Sequence, residues 1–406
     1  MGSKIKQPLI HIGLFVLTLI TTTFAGAEWT ISKFLIFGMT WDDFVFGLQF
    51  SVPFLGILTF HEFGHYFTAR YHNIKVTLPY YLPIWLGFLA IPSLGTMGAF
   101  IRIQETISSR TKYFDVGVSG PIAGFVVAMI LFVVGFRTLP ETDYIYEIHP
   151  EYEVFGENFE ERMMGLDTVI LKKDLNLSRM RYPELADTIR TNLPGSIFFG
   201  DNLLMSFGRN YLAPDDRYVP SPNELMHYPL LLAAFLAFFF TALNLLPMGQ
   251  LDGGHILFGL LGAKNHAIIS RVLFIGFLFY AGLGLVTTAS LANSSLEALG
   301  SFLLITGAYL YFLYICFQYV FSDKRNRLLY ATVLFTIQFF VASFFKIEGY
   351  TGWLLFAFLI GRVVGIDHPP VIDDRPLTPA RKILGWIALV IFVLCFSPQP
   401  LVVDGI

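Results

Sequence analysis

The sequence predicts an all-α polytopic membrane protein of about nine transmembrane helices, with a membrane-re-entrant hairpin and one small extracytoplasmic insert. Three observations lead there. Of the 406 residues, 55% are hydrophobic and 14% are charged, against about 25% charged in a soluble domain. Apolar stretches of spanning length recur along the chain. The basic residues between them fit an alternating in–out path that keeps nearly all of them on one side.

The stretches fall near residues 8–27, 43–70, 113–138, 227–248, 268–291, 298–320, 328–345, 349–366 and 383–398. Lys4 and Lys6 set the N-terminus inside, as do Arg70, Lys75, Arg102, Arg110 and Lys112 for the next inner loop. Lys264, Arg271, Lys324, Arg325, Arg327, Arg375, Arg381 and Lys382 continue the pattern. The run Leu9–Phe24 ends at Ala25-Gly26-Ala27, which resembles a signal-peptidase site; it is read as a retained helix, and either choice leaves residue 28 outside. The 43 Phe and 19 Tyr suit a lipid-facing chain with aromatic belts.

Two segments interrupt the helices. Residues 76–112 are apolar yet hold Pro79, Pro83, Pro92, Gly87, Gly95 and Gly98, which argue against a continuous helix. Thr96 to Ile103 alternates weakly, as a strand does, so the stretch reads as a membrane-dipping loop or hairpin. Residues 139–226 form the one long polar insert, rich in acids and placed outside by parity. The organisation is therefore residues 1–42, a first helix and loop; 43–138, the first half of the functional core; 139–226, the insert; 227–291, the second half; and 292–406, C-terminal helices.

Net charge is −3, which gives no footing for a nucleic-acid partner. Cys316 and Cys395 lie far apart in apolar runs and suggest neither a disulfide framework nor a cysteine-based zinc site.

Chemistry concentrates at His61-Glu62-Phe63-Gly64-His65. Histidines four residues apart share one helix face, where both imidazoles can bind one metal ion. Glu62 then serves as the base that activates water and returns the proton to the leaving amine. Ionisable residues in the middle of an apolar helix cost about 2.5–3.5 kcal/mol each on insertion scales, so they mark function. A zinc site that stays open to substrate needs a third ligand. Asp252, just beyond the 227–248 stretch, is the candidate, because parity makes that stretch parallel to 43–70 and brings both motifs to similar depth. The competing reading is that Asp252 caps a short helix starting at Gly253.

With these motifs, the chain resembles the site-2 protease family of intramembrane zinc metalloproteases. Within it, the chain is most similar to the branch of plant plastid ethylene-dependent gravitropism-deficient proteins and their bacterial relatives. The resemblance rests on HEFGH at 61–65, GTMGAFIRI at 95–103, GPIAG at 120–124 and NLLPMGQLDGG at 244–254, with a weaker match at GIDHPP, 365–370. It implies that His61, His65 and Asp252 hold zinc and that Glu62 is the catalytic base. It implies that Asn244 holds unwound substrate backbone. It also makes 76–103, with Gly98, a re-entrant β-hairpin that receives substrate as an added strand. Three departures stand out. The 139–226 slot shows no PDZ signature, helices rather than a CBS pair fill the C-terminus, and Gly124 stands where some branches carry Asn.

The expectation is thus a multi-pass protease of a bacterial inner membrane, in contact with the lipid bilayer, that cuts transmembrane segments of substrate proteins. A membrane zinc peptidase acting on soluble or lipidated peptides, or a metal transporter, is the alternative. His255 is read as supporting the site, His368, Asp373 and Asp374 as an inner polar loop, and His11, His72, His149, His227 and His266 as non-ligands.

Overall fold

Helix length follows from apolar length in this chain, and the breaks follow from Pro and Gly. The structure is a computed structural model that describes residues 2–33, 35, 38–89, 91–141, 143–149, 197–215, 218–288 and 296–403. The interior of the expected insert and the expected boundary at 291/292 lie outside the described residues, as do the side chains of Lys4 and Lys6.

The chain is a mostly helical, multi-pass membrane protein. Among the described residues, six helices are long and apolar enough to cross a bilayer: Gln7–Ile31 within α1 (Gly2–Ile31), α2 (Trp41–Tyr71), α3 (Arg110–Arg137), Asp252–Gly282, Leu296–Tyr319 and Lys324–Phe345. Three of the nine expected stretches form shorter helices instead, Pro229–Leu245, Trp353–Val364 and Pro379–Cys395.

Helix α2 starts at a capping box. The Thr40 hydroxyl accepts from the Asp43 amide and the Asp43 carboxylate accepts from the Thr40 amide, at 3.2 and 2.8 Å, which satisfies two donors at the helix start. Helices α1 and α2 cross at Gly26 and Gly47, where an added Cβ would lie 2.7 Å from the Gly47 carbonyl oxygen or 2.2 Å from that of Thr23. Small residues at such a crossing let backbones approach and substitute van der Waals contact for the missing hydrophobic drive.

After α2 the chain forms β1 (Tyr80–Pro83) and β2 (Thr96–Phe100), an antiparallel pair with Tyr80 opposite Phe100. The 76–112 segment thus contains a hairpin, which qualifies the all-α expectation. A second pair joins β3 (Ile197–Phe199) to β4 (Leu401–Val403). Two short helices lie within the insert, α4 (Asp143–Ile148) near its start and α5 (Leu203–Tyr211) nearer its end.

Helix α6 (Pro229–Leu245) is buried on most of its circumference, as expected of a central helix. It starts with Pro at its first turn and stops at Leu246-Pro247, where proline ends a helix. At about 1.5 Å per residue it reaches only ~26 Å. Helix α7 (Asp252–Gly282) fuses the region after Asp252 with most of the expected 268–291 stretch. Gly262, at φ 79° and ψ 172°, breaks it into two segments. The buried Arg110 sits at this break. Its Nε donates to the Gly259 carbonyl at 3.0 Å and its guanidinium pairs with Asp374 at 3.2 Å. A cation thereby satisfies a carbonyl that the broken helix would leave without a partner. The rest of the described chain is α8 (Leu296–Cys316), α9 (Lys324–Phe345), α10 (Trp353–Phe358, continued by a π-turn to Val364) and α11 (Pro379–Cys395). Asp115 ties three elements together: it accepts from Arg381 of α11 through both oxygens, at 2.7 and 2.8 Å, and pairs with His72 at 2.8 Å.

Candidate active site and metal centre

The helical repeat puts His61 and His65 on one face of α2, with their Nε2 atoms 3.1 Å apart. The His65 Nδ1–H donates to the Val116 carbonyl of α3 at 2.7 Å. That bond fixes the tautomer and leaves Nε2 as a lone pair free to take a metal. Asp252 enters from the first turn of α7. Its Oδ2 lies 3.2 Å from His65 Nε2 and 3.7 Å from His61 Nε2. Asp252 does not cap its helix: Leu251 holds that position and there is no side-chain cap. The competing role considered for Asp252 is therefore not the one its side chain adopts.

The donor set suits zinc. Two imidazole nitrogens and a carboxylate oxygen lie within 4.8 Å of one another, and tetrahedral ligands at zinc–donor distances near 2.0–2.2 Å are separated by roughly 3.4 Å. Buried lone pairs facing one another at these distances repel unless a cation lies between them. His61, His65 and Asp252 could hold the metal.

Glu62 is 5% exposed and opens with the three donors onto a cavity of about 440 Å³. The backbone of Ile101 faces its carboxylate. The cavity is lined on one side by the Thr96–Ile101 stretch and on another by Thr241 and Asn244 of α6. Asn244 Nδ2 lies 3.4 Å from His61 Nε2. Gly98, at φ 103°, lines the cavity with open space where a side chain would stand. Its amide donates to the Thr96 hydroxyl at 3.0 Å. The structure thus brings all six sequence-selected residues to one chamber.

Helix α3 supplies what allows the approach. A Cβ on Gly120 would lie 2.2 Å from His65 Nε2, one on Gly124 3.1 Å from His61 Cβ, and one on Gly117 2.8 Å from His255 Cβ. On α2, a Cβ on Gly64 would meet the Ser119 carbonyl at 2.6 Å. The GPIAG segment is thus a seat for the imidazoles. Gly120→Ala should displace the His65 ring, cost about 1–3 kcal/mol as overpacking does, lower zinc content and reduce cleavage at least about tenfold. Zinc quantification and thermal melting check this against Gly13→Ala, where a Cβ meets nothing within 4 Å. Equal zinc content in the two variants would refute the seating role.

Sequence reasoning missed one partnership. His368 is not a solvated loop residue. Its ring stacks on Phe258 with centroids 3.7 Å apart and its Nε2 lies 2.9 Å from His255 Nδ1. His368 Nδ1–H donates to the Pro369 carbonyl at 2.7 Å, so Nε2 accepts from His255. This directs the His255 Nε2 lone pair elsewhere, and His255 lines the cavity beside Asp252. Burial and the neighbouring His255 pull the His368 pKa down to about 3, which keeps it a neutral acceptor. The only sequence signal was His255 one turn after Asp252.

Three donors that could hold a metal, a carboxylate beside them and a membrane-helix scaffold are the parts that a membrane metallopeptidase requires. Comparison with known proteins makes the assignment specific. Residues 49–283 match peptidase family M50. The chain is 28% identical over 230 residues to the probable zinc metalloprotease EGY2, chloroplastic, of Oryza sativa subsp. indica, covering 57% of this chain and 32% of that protein. It is 26% identical over 211 residues to the probable zinc metalloprotease EGY1, chloroplastic, of Arabidopsis thaliana (52% and 29%). It is 24% identical over 281 residues to the probable zinc metallopeptidase EGY3, chloroplastic, of the same plant (66% and 39%). The chain spans about a third of the length of these curated relatives. No solved structure matches the chain. The chain belongs to peptidase family M50.

Proposed function

We propose that this protein is an intramembrane zinc endopeptidase that hydrolyses peptide bonds in or near transmembrane segments of other membrane proteins, close to the inner face. The observation that carries this reading is the position of Glu62: its buried carboxylate and the His61–His65–Asp252 donors share one chamber inside a bundle of membrane-spanning helices. Bound zinc supplies a Lewis acid for the scissile carbonyl and lowers the pKa of water toward neutrality.

The protein's own groups do the rest. A peptide bond within a helix is shielded by its neighbours, so the substrate must unwind before attack. The cavity is lined by Thr96–Ile101, which includes β2, and by no residue of β1, which supports a re-entrant hairpin that pairs with an extended substrate strand through β2. Gly98 leaves room for that strand. Asn244 offers an amide that can replace backbone hydrogen bonds lost on unwinding, at a depth without water to do so. Glu62 accepts a proton from the attacking water as the C–O bond forms. It passes that proton to the amide nitrogen as the C–N bond breaks, so the products leave as a carboxylate and an amine. The basic loops place the Arg70 end of α2 inside, which sets the cut near the inner face of, as we read it, a bacterial inner membrane.

The test compares the full chain in detergent on two substrates of one sequence: a single transmembrane helix with its flanks, and the flanking peptide alone. Cleavage of the helix at least about tenfold faster is the expected result. Preference for the free peptide would favour the soluble-peptide alternative. Metal flux through liposomes without cleavage of either would favour the transporter.

A further inference from the structure

A second set of metal donors lies at the other end of the helix bundle. His227 closes a short turn, Leu225–His227, directly ahead of α6. Its Nδ1 lies 2.8 Å from the Thr30 carbonyl at the end of α1. That carbonyl can only accept, so Nδ1 carries the proton and Nε2 is a lone pair pointing away. His149, just after α4, places its own Nε2 3.0 Å from this lone pair. Glu224 Oε2 lies 3.3 Å from His227 Nε2 and 3.9 Å from His149 Nε2. The corresponding separations among His61, His65 and Asp252 are 3.1, 3.2 and 3.7 Å. The two trios are nearly superimposable in donor type and spacing.

Two imidazoles and a carboxylate meet here with their ligand atoms within 4.8 Å of one another, the donor types and spacing that a zinc-type ion takes. His227 is 1% exposed, so its Nε2 lone pair is held away from water. A cation at the centre of the three atoms satisfies all of them at once. The bond to Thr30 is then the outer-sphere contact that orients a metal-binding imidazole.

We propose that His149, Glu224 and His227 bind a second divalent transition-metal ion of the zinc type, with a structural role. The donors come from the two flanks of the insert, His149 on one side and Glu224 with His227 on the other. The ion joins those flanks to each other, and through the Thr30 bond to α1. The Tyr144 hydroxyl already donates to the His227 carbonyl at 2.7 Å, so the clamp closes on a surface that is in contact. The site is remote from the catalytic one. Asn244, which faces His61, stands seventeen residues along from His227, about 25 Å at 1.5 Å per residue. An ion there cannot take part in peptide hydrolysis.

The experiment counts zinc in the untagged full chain after exhaustive dialysis in detergent. Wild type should hold about two ions per chain, His149→Gln about one, Asp252→Ala about one, and the double variant about none. His149→Gln should keep cleavage activity. One ion in wild type, or two in His149→Gln, overturns the proposal. If His149→Gln fails to fold, Asp252→Ala decides: one retained ion supports the second site, and none overturns it. Two ions in Asp252→Ala with one in His149→Gln would instead sink Asp252 as a catalytic-site ligand and leave this site standing.

Discussion

Glu62→Gln is expected to reduce cleavage by about 10²–10⁴-fold, the range that general acid–base groups contribute, while zinc content stays at the wild-type level. Glutamine keeps the size and most of the hydrogen bonding of glutamate but cannot take up a proton. Glu62 is not one of the three clustered donor residues, so the metal should remain. The carboxylate is 5% exposed. Replacing it with a neutral amide removes a desolvation cost rather than a packing contact, so the variant should melt no lower than wild type. Single-turnover cleavage of a transmembrane substrate, measured with zinc content on the same sample, gives the answer. Wild-type cleavage by Glu62→Gln would sink the assigned base. Lost cleavage accompanied by lost zinc would show that the residue acts through the metal site.

Asp252→Ala should lose the zinc of its own site and with it all measurable cleavage. Two imidazoles 3.1 Å apart remain, but the only anionic donor of the trio is gone. Deleting an outer-sphere partner of a metal site costs about 10–100-fold in affinity, and a direct ligand should cost more. The fold should survive. Leu251, not Asp252, holds the cap of α7, so the lost helix-end interaction is worth at most about 1 kcal/mol. Zinc content of the variant, with melting of the metal-free protein, separates ligand from cap. A variant that melts far lower yet keeps its catalytic zinc would reverse the assignment.

The contrast between these two residues shows what a linear sequence can carry. Glu62 was legible locally: His61 and His65 sit one helical turn apart, so the 3.6-residue repeat alone puts them on one face. Asp252 was reachable only through helix parity, which predicts depth but not contact. Sequence left its ligand and cap roles open, and the 3.2 Å approach to His65 Nε2 exists only because α2, α3 and α7 pack together. Helix lengths divide in the same way. Apolar runs gave the long helices, because burying backbone polar groups in a bilayer demands them. The short α6 and the Gly262 break in α7 escaped detection. An enclosed helix need not match bilayer thickness, and the break depends on Arg110, distant in sequence, reaching the Gly259 carbonyl.

Glycine and histidine mark the boundary most sharply. GPIAG stood in the sequence as a motif of the resemblance, and only the structure shows that the space saved at Gly120 is filled by the His65 ring. His368 looked solvent-facing until the fold stacked it on Phe258. His149 and His227 each looked like isolated histidines. Glu224 and His227, three apart, held a faint periodic signal, while His149 lies across the whole insert. The sequence by itself determined a membrane-embedded helical protein with two histidines on one helix face and a glutamate next to the first of them, since composition and helical period act over a few residues. Only the tertiary structure decided which distant side chains meet those groups. Metal coordination and steric seating are satisfied in three dimensions, by atoms that sequence distance does not relate.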